Sequence, residues 1–341
     1  MYSRNIKVVL FVLCTSIIVA TEANTSGNTT PTLTTTSEPT KLTLSDEDAM
    51  LDKIQNGVGF LAALDQSGGS TPRALSFYGF PKELYEEGET SMFDAVHQMR
   101  TRIVTSKAFQ GDQILGAILF EGTMDRMVDG KPTAQYLWEE KKVVPFLKID
   151  KGLLPEENGV QLMKEIPALE ALLKRAKTNG IFGTKMRSVI KSNSPDGIKA
   201  VVDQQFQVGK KIIDSGLVPI IEPEVDIFSS DKMQCEEVLK ANIMAQLDQL
   251  RENDRVILKV SLPCLENFYQ ECINHPKCIR VVALSGGFSR NEANELLCKQ
   301  REMIASFSRA LTEGLTHGMS DDDFDKVLGQ TIDSICSASN T

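Results

Sequence analysis

The chain has 341 residues, of which 41% are hydrophobic, and a formal net charge of −9 with a pI near 5.1. This length is enough to bury one large core. The acidic balance, without any extended Lys/Arg block, argues against nucleic acid as the main partner. The seven cysteines show no CxxC spacing and the three histidines are scattered, so we expect no metal site.

The first 23 residues have the pattern of a signal peptide. Arg4 and Lys7 precede an apolar stretch over residues 8–20, and small residues follow it. The apolar stretch has about 13 residues, whereas a membrane span needs roughly 20. We therefore expect a cleaved signal rather than a signal anchor, and no stable membrane association after cleavage.

Residues 24–44 are rich in Ser and Thr and poor in hydrophobic residues, so we expect a disordered leader. Two N-x-[ST] sequons, at Asn24 and Asn28, are of the kind that arises by chance in such a tract. A signal peptide followed by a hydroxyl-rich, acid-poor stretch favours entry into the secretory pathway and import into a complex plastid. Plain secretion and a signal-anchored form are the alternatives.

From residue 45 to residue 341 the pattern alternates regularly. Ser45 and Asp48 form a capping-box-like start for a helix that ends near Gly57. Helical patterns then separate eight apolar strand candidates, at 59–65, 114–121, 144–150, 182–188, 217–225, 256–263, 279–287 and 304–311. This is the element count of an α/β fold, a single-domain (β/α)8 TIM barrel. An open doubly wound sheet is the rival, but Gly68-Gly69 is only a weak version of its phosphate loop.

Charged and turn residues fall where the predicted strands end. In such barrels, catalytic groups come from the carboxyl ends of several strands and face one mouth. Those positions hold Asp65, Glu121, Lys148, Asp150, Lys185, Arg187, Glu222, Glu224, Lys259, the turn Ser285-Gly286-Gly287, and Arg309. The sequence therefore predicts an active site spread over most of the strands.

Lys259 lies inside the apolar, β-branched run of the sixth strand candidate. Burying an ammonium is unfavourable unless something pairs with it or neutralises it. Desolvation and a nearby cation both lower a lysine pKa, which leaves a neutral amine that attacks carbonyl groups. We expect Lys259 to form an imine, whose protonated form draws electrons from an adjacent carbon–carbon bond as that bond breaks.

Three other residues complete the predicted chemistry. Lys185, in the fourth strand candidate, would lower the pKa of Lys259 and polarise developing oxyanions. Glu222 precedes a proline in an apolar strand, a setting that raises a carboxyl pKa towards neutrality and suits proton shuttling. Asp65 would accept a proton from a substrate hydroxyl.

Two anion sites are predicted from the remaining residues. The Ser285-Gly286-Gly287 turn offers backbone N–H groups that, with Arg309, would hold a phosphate. Lys148 and Arg73 are candidates for a second anion. Arg187 would line the site or form a structural ion pair. Glu224 and Asp150 would support neighbouring side chains, although Asp150 and Lys151 pairing with each other in a loop is an alternative.

These residues resemble class I fructose-bisphosphate aldolases, and most closely their shorter bacterial-type branch. The motifs, in the family's order, are Ala63-Leu64-Asp65-Gln66-Ser67, Leu147-Lys148-Ile149-Asp150-Lys151-Gly152, Thr184-Lys185-Met186-Arg187, Val218-Pro219-Ile220-Ile221-Glu222-Pro223-Glu224, Leu258-Lys259, Leu284-Ser285-Gly286-Gly287 and Ser306-Phe307-Ser308-Arg309-Ala310-Leu311. The resemblance runs from about Leu51 to the C-terminal helix.

The resemblance implies a lyase that reversibly splits fructose 1,6-bisphosphate into glycerone phosphate and glyceraldehyde 3-phosphate, in glycolysis, gluconeogenesis or the Calvin cycle. It implies no metal or other cofactor, sugar phosphates as the small-molecule partners, and leaves a homo-oligomer open. By resemblance, Lys259 is the Schiff-base lysine, Lys185 and Glu222 transfer protons, and Asp65 acts at the cleaved bond. Ser285, Gly286 and Arg309 would bind one phosphate, and Lys148 and Arg187 would line the channel.

The chain departs from the animal-type enzymes at two places. Gln66 stands where those enzymes have Glu, and the chain ends without their terminal tyrosine. Arg73 matches the family's basic position only approximately. Two other function classes stay open, namely an imine-forming barrel for other sugar phosphates or keto acids, and a catalytically idle exported barrel used for binding.

Overall fold

Eight parallel strands form a barrel in the computed structural model, which describes residues 43–66 and 69–341. In order, β1 to β8 are Phe60–Leu64, Ile114–Leu119, Val144–Lys148, Gly183–Ile190, Val218–Val225, Val256–Ser261, Cys278–Leu284 and Ile304–Ala305. Each strand pairs with the next in the chain. The backbone N–H of Ala63 donates to the carbonyl of Phe307 at 3.1 Å, which brings the two edges of the sheet together. The predicted TIM barrel is confirmed.

Helices alternate with these strands around the outside of the barrel. In order, α1 to α12 are Leu44–Asn56, Thr71–Tyr78, Thr90–Thr105, Glu121–Met124, Thr133–Glu139, Leu169–Thr178, Pro195–Asp214, Lys232–Asp248, Gln270–Ile273, Arg290–Leu297, Arg309–Thr312 and Asp321–Ala338. The long helix α7 buries Ile198, Val202 and Phe206, the helical spacing that predicts it. Smaller elements are a 3₁₀ turn at Lys82–Leu84 and three two-residue strands at Met127–Val128, Lys131–Pro132 and Val160–Gln161.

Helix α1 closes the amino-terminal end of the barrel. Met50 and Ile54 are fully buried against the inward-facing apolar side chains of the strands. Arg280 of β7 donates from Nε to the carbonyl of Ile54 at 2.9 Å. Its Nη2 donates to the carbonyls of Gln55 and Gly57 at the end of α1. A cation at a helix carboxyl end satisfies free carbonyls and opposes the helix dipole. We call this end of the barrel, formed by α1 and the residues it covers, the floor.

Two element boundaries differ from prediction. Helix α1 is capped by Thr43, whose side chain accepts from the N–H of Asp46, and not by Ser45. Strand β8 has only two residues, because the chain turns into α11 at Arg309. Ala310 and Leu311 looked like the end of a strand because they are apolar, but they are buried on that short helix. Arg309 is therefore held by a helix start and not by a strand end.

The predicted signal peptide over 1–23, the two sequons and nearly all of the predicted leader over 24–44 lie outside the described residues. Their assignments stay predictions. Across residues 43–66 and 69–341, no helix is both long and apolar enough to cross a membrane.

Candidate active site

A cavity of about 420 Å³ opens at the carboxyl ends of the barrel strands. We call this end of the barrel the mouth. Eleven of the predicted site residues line it: Asp65, Arg73, Lys148, Lys185, Arg187, Glu222, Glu224, Lys259, Ser285, Gly286 and Arg309. The two others, Asp150 and Gly287, contact residues of the lining. The structure thus brings together side chains that lie far apart in the sequence.

The deepest part of the cavity holds four charged side chains in a chain of contacts. Lys259 Nζ lies 3.1 Å from Glu222 Oε1, and Glu222 Oε2 lies 2.8 Å from Lys185 Nζ. Lys185 Nζ in turn lies 2.7 Å from Asp65 Oδ2. All four residues are at least nine-tenths buried. We call Asp65, Lys185, Glu222 and Lys259 the buried ion cluster. Its two carboxylates balance its two ammonium groups, as burial of charge requires.

Strand alternation places these side chains. Ile220 and Ile257 point into the apolar floor, and Glu222 and Lys259, two residues further along each strand, point into the cavity. The side-chain amide of Gln205 on α7 makes two hydrogen bonds to the backbone of Glu222. It accepts from the N–H and donates to the carbonyl, each at 3.1 Å. A fully buried amide therefore fixes the position of the central carboxylate.

The buried ion cluster sets the charge state of its own members. Burial alone raises the pKa of Asp65, but the ammonium groups of Lys185 and Lys259 outweigh it and hold that pKa well below its usual range. Burial lowers the pKa of Lys185, and the carboxylates of Asp65 and Glu222 outweigh it and raise that pKa. Asp65 is therefore ionised and Lys185 protonated at neutral pH.

The predicted raised pKa of Glu222 is wrong. Burial raises the pKa of this carboxyl, but the cations of Lys185 and Lys259 lower it by more, so the net shift is downward. An apolar strand predicts only the burial. The two neighbouring cations come from β4 and β6, on either side of β5, and the spacing of residues along the chain does not reveal their distance.

The turn after β7, which is predicted to bind a phosphate, lies at the cavity. Gly286 has φ +61°, and a Cβ there would lie 2.5 Å from a side-chain carbon of Ile227, so only glycine fits without displacement. Gly287 has φ +131°, and a Cβ on it would lie 3.3 Å from the Arg309 guanidinium. Glycines thus let the loop approach Arg309 closely. Ser285 is buried beside them, whereas Arg309 is exposed to the cavity.

The opposite side of the cavity carries a second set of cations. Lys148 is buried and donates to the carboxylate of Asp150 and, at 3.1 Å, to its carbonyl. Asp150 also accepts from the backbone N–H of Arg187 at 3.2 Å. Arg187, which is partly buried, pairs through Nε with Glu224, and this carboxylate raises the pKa of the guanidinium. Asp150 therefore supports Lys148 and does not pair with Lys151.

Two outer contacts complete the mouth. Lys151 pairs instead with Glu121 at the rim, and Glu121 also binds Arg175. Arg73 on α2 is exposed, with its guanidinium carbon 5.2 Å from the ring centroid of Phe77. Arg73 lines the cavity without a carboxylate partner within 4 Å in the described part of the chain. Its charge is therefore open to a ligand.

Sequence reasoning missed the residues that support this site from behind. Gln205 is one. Arg100 on α3 is another: burial lowers the pKa of its guanidinium to about 10, which leaves it charged at neutral pH. A signal was present, because Arg100 lies four residues after Val96 and three before Ile103, on the apolar face of that helix. A charged residue in that position predicts a buried cation.

Comparisons with known proteins show the family of this chain. The family model for class I fructose-bisphosphate aldolase matches residues 54–264. A curated relative, fructose-bisphosphate aldolase class 1 from Synechocystis sp. (strain ATCC 27184 / PCC 6803 / Kazusa), is 56% identical over 300 residues, which cover 88% of this chain and all of that protein. The chain belongs to the class I fructose-bisphosphate aldolases.

Members of this family are lyases, and their class is characterised by a lysine Schiff base. A solved structure agrees on the fold: the fructose-bisphosphate aldolase from Plasmodium falciparum superposes with a TM-score of 0.67 at 20% identity, covering 89% of this chain and 97% of that one. Within residues 43–66 and 69–341, no three His, Cys, Asp or Glu side chains converge as ligands of a metal ion would.

Proposed function

We propose that Lys259 is the Schiff-base lysine with which this aldolase cleaves fructose 1,6-bisphosphate. One observation carries the assignment: the Lys259 ammonium is buried in the cavity with a carboxylate oxygen of Glu222 only 3.1 Å away. Lys185 is equally buried but is held by two carboxylates, Asp65 and Glu222. These two carboxylates raise the pKa of Lys185 and hold it as an ammonium group, which has no lone pair with which to attack a carbonyl, so Lys259 is the candidate nucleophile.

Glu222 would remove the proton that keeps Lys259 unreactive. Its carboxylate is ionised in the resting site because two lysines lower its pKa. It accepts the proton as the amine attacks the substrate ketone, and it returns the proton to the departing hydroxyl as water leaves and the iminium forms. Lys185, 2.8 Å from the other carboxylate oxygen, stabilises the charge of Glu222 in the ionised steps.

Asp65 would act at the bond that breaks. It takes the proton of the substrate hydroxyl on the carbon next to the scissile bond, that oxygen becomes the aldehyde, and the bonding electron pair moves into the iminium to give an enamine. The lowered pKa keeps Asp65 ionised before the step. Proton return to the enamine and hydrolysis of the imine then release glycerone phosphate and free the amine.

Two separate groups of cations favour a substrate with a phosphate at each end. The Ser285-Gly286 loop with Arg309 offers one anion site, and Lys148 with Arg187 and Arg73 offers the other. An imine-forming barrel for a substrate with a single anion would need only one of them. We also propose that the reaction uses no metal, because the buried ion cluster supplies both acid–base and electrostatic functions from side chains alone.

Replacing two lysines of the same cavity by methionine tests the assignment. Lys259→Met should abolish cleavage, with a loss of about four orders of magnitude or more in kcat, because no imine forms. Lys148→Met is the matched control and should mainly raise the KM for the bisphosphate. Equal losses of kcat in the two variants would contradict the assignment, and loss of activity of the unmutated enzyme in EDTA would contradict the metal-free reaction.

We further propose that the first 44 residues direct the enzyme into the secretory pathway and on to a complex plastid. The basic start, the apolar stretch over residues 8–20 and the Ser/Thr-rich stretch after it support this address. A fusion of residues 1–50 to a fluorescent protein tests it. Fluorescence within the plastid is expected, whereas export to the medium or retention at the plasma membrane would favour secretion or a signal anchor.

A further inference from the structure

Behind the catalytic aspartate lies a buried cation that makes no direct ion pair with a carboxylate in the described part of the chain, although the charge of Asp65 acts on it from further away. Arg100 is 2% exposed, and no carboxylate among residues 43–66 and 69–341 lies within 4 Å of its guanidinium. It donates to the backbone carbonyl of Gln66 at 2.6 Å, to the side-chain oxygen of Gln66 at 3.2 Å and to the hydroxyl of Thr123 at 2.8 Å. A buried guanidinium without a direct carboxylate partner is unfavourable even when a more distant carboxylate offsets part of its charge, so its retention calls for a role.

Arg100 fixes the orientation of the Gln66 amide. A guanidinium has donors only, so the amide oxygen of Gln66 must face it. The amide nitrogen then points the other way, and it donates to the hydroxyl oxygen of Ser308 at 2.8 Å. This contact joins the end of β1 to the segment after β8, next to Arg309.

The direction of that hydrogen bond has a consequence for Ser308. Because its oxygen already accepts from Gln66, the hydroxyl hydrogen of Ser308 points elsewhere. In the described part of the chain it finds no acceptor, and Ser308 lines the cavity together with Ser285, Gly286 and Arg309. The hydrogen is therefore available to an anion held by that loop.

We propose that Arg100, Gln66 and Ser308 form a donor relay that presents the Ser308 hydroxyl to a substrate phosphate. In this relay Ser308 is a binding residue, and Gln66 and Arg100 are positioning residues. The neutral amide of Gln66 is essential, because a carboxylate in its place would accept from Ser308 and withdraw the hydrogen from the substrate. The proposal rests on the proposed function only in taking the ligand to be a sugar phosphate.

A double-mutant cycle between Gln66→Glu and Ser308→Ala tests the relay. Alone, each change should raise the KM for fructose 1,6-bisphosphate about tenfold, the effect of losing one hydrogen bond to a charged group, with kcat changed much less. The inhibition constant of inorganic phosphate should rise in parallel. In the Gln66→Glu background, Ser308→Ala should change KM less than about threefold, because the hydroxyl is already withdrawn.

Gln204→Glu is the control for added charge. Gln204 is a partly buried glutamine of α7 that bonds the backbone of Met163 and does not line the cavity, so KM should stay within about twofold. Arg100 itself is a poor choice for substitution, since removing a fully buried group disturbs folding.

Two results would overturn the relay. An unchanged KM for Ser308→Ala in the unmutated background would mean that Ser308 does not bind the anion. A rise in KM by the same factor in both backgrounds would mean that Gln66 acts through charge alone. Borohydride reduction of the unmutated enzyme with substrate separates failure of the relay from failure of the proposed function. If Lys259 is labelled but the two substitutions have additive effects on KM, only the relay is rejected. If Lys259 is not labelled, the proposed function is rejected.

Discussion

The two ends of the barrel interior are built from the same strands and serve opposite purposes. At the floor, β5 and β6 contribute Ile220 and Ile257, both fully buried among apolar side chains under α1. Two residues further along, at the mouth, the same strands contribute Glu222 and Lys259, equally buried but charged. Burial is thus the same at both ends, and only the chemistry of the side chains differs.

This difference separates stability from catalysis. Apolar burial at the floor stabilises the fold at roughly 25 cal/mol per Å² removed from water. In the buried ion cluster at the mouth, the attraction between the charges roughly offsets the free energy of their desolvation, so the intact cluster adds little net stability, although protonating one member leaves a buried charge unpaired. We therefore expect changes at the mouth to affect turnover and changes at the floor to affect unfolding.

The largest expected effect is at the mouth, in Asp65→Asn. Asparagine keeps the shape but cannot take a proton, so kcat should fall by about 10²- to 10⁴-fold. Steady-state cleavage kinetics measure the change. Asp254→Asn, a buried carboxylate held by Arg251 before β6 at the floor end, is the matched control and should leave kcat unchanged. A similar loss of kcat in both variants would contradict the separation.

Ile54→Ala should produce the mirror effect at the floor. Removing a fully buried side chain from under the barrel leaves a cavity and should lower the free energy of unfolding by about 2–5 kcal/mol, with kcat intact. Urea unfolding measures the loss. Val58→Ala is the control, because Val58 is 60% exposed and should change stability by less than about 0.5 kcal/mol. A fall in kcat in Ile54→Ala would mean that the two ends are coupled.

The free energy of unfolding should fall in acid as the carboxylates of the mouth become protonated. The pKa values of Asp65 and Glu222 are lowered from 3.8 and 4.5, so their contribution to stability is complete above those values. It is lost as pH falls through the lower pKa values of the folded protein. Urea unfolding from pH 7 down to about pH 2 should show a decline that begins only near the unfolded values of 3.8 and 4.5 and continues below them. Asp65→Asn should flatten this decline, and Ile54→Ala should only shift the whole curve downward. An unchanged slope in Asp65→Asn would contradict the pKa shift.

The smallest effect should come from the rim of the mouth, in Glu224→Gln. Glu224 pairs with Arg187, whose side chain is 37% exposed, and ion pairs that water reaches contribute little. The free energy of unfolding should fall by less than about 1 kcal/mol. A loss above about 2 kcal/mol would mean that this pair behaves energetically like the buried ion cluster and not like an ion pair at the rim.

The sequence predicts most of this architecture because the relevant signals are local. Lysines inside apolar strands are rare, and the mouth of a barrel explains Lys148, Lys185 and Lys259 together. Strand alternation alone then places Glu222 and Glu224 on one face. The eight strand positions and the direction in which these side chains face follow from such patterns.

What the sequence does not predict depends on distances between strands. The lowered pKa of Glu222 follows from two lysines on neighbouring strands, and the support from Gln205 and Arg100 comes from helices outside the barrel. The short β8 depends on where a helical turn begins, which an apolar run does not fix. Each of these features requires the folded arrangement.

Borohydride reduction in the presence of fructose 1,6-bisphosphate, followed by peptide mass mapping, tests most directly whether the amine of Lys259 carries the reaction. We predict a reduced adduct on the peptide that contains Lys259 and none on the peptides that contain Lys148 or Lys185. An adduct on Lys185, or a Lys259 peptide of unchanged mass, would contradict the assignment.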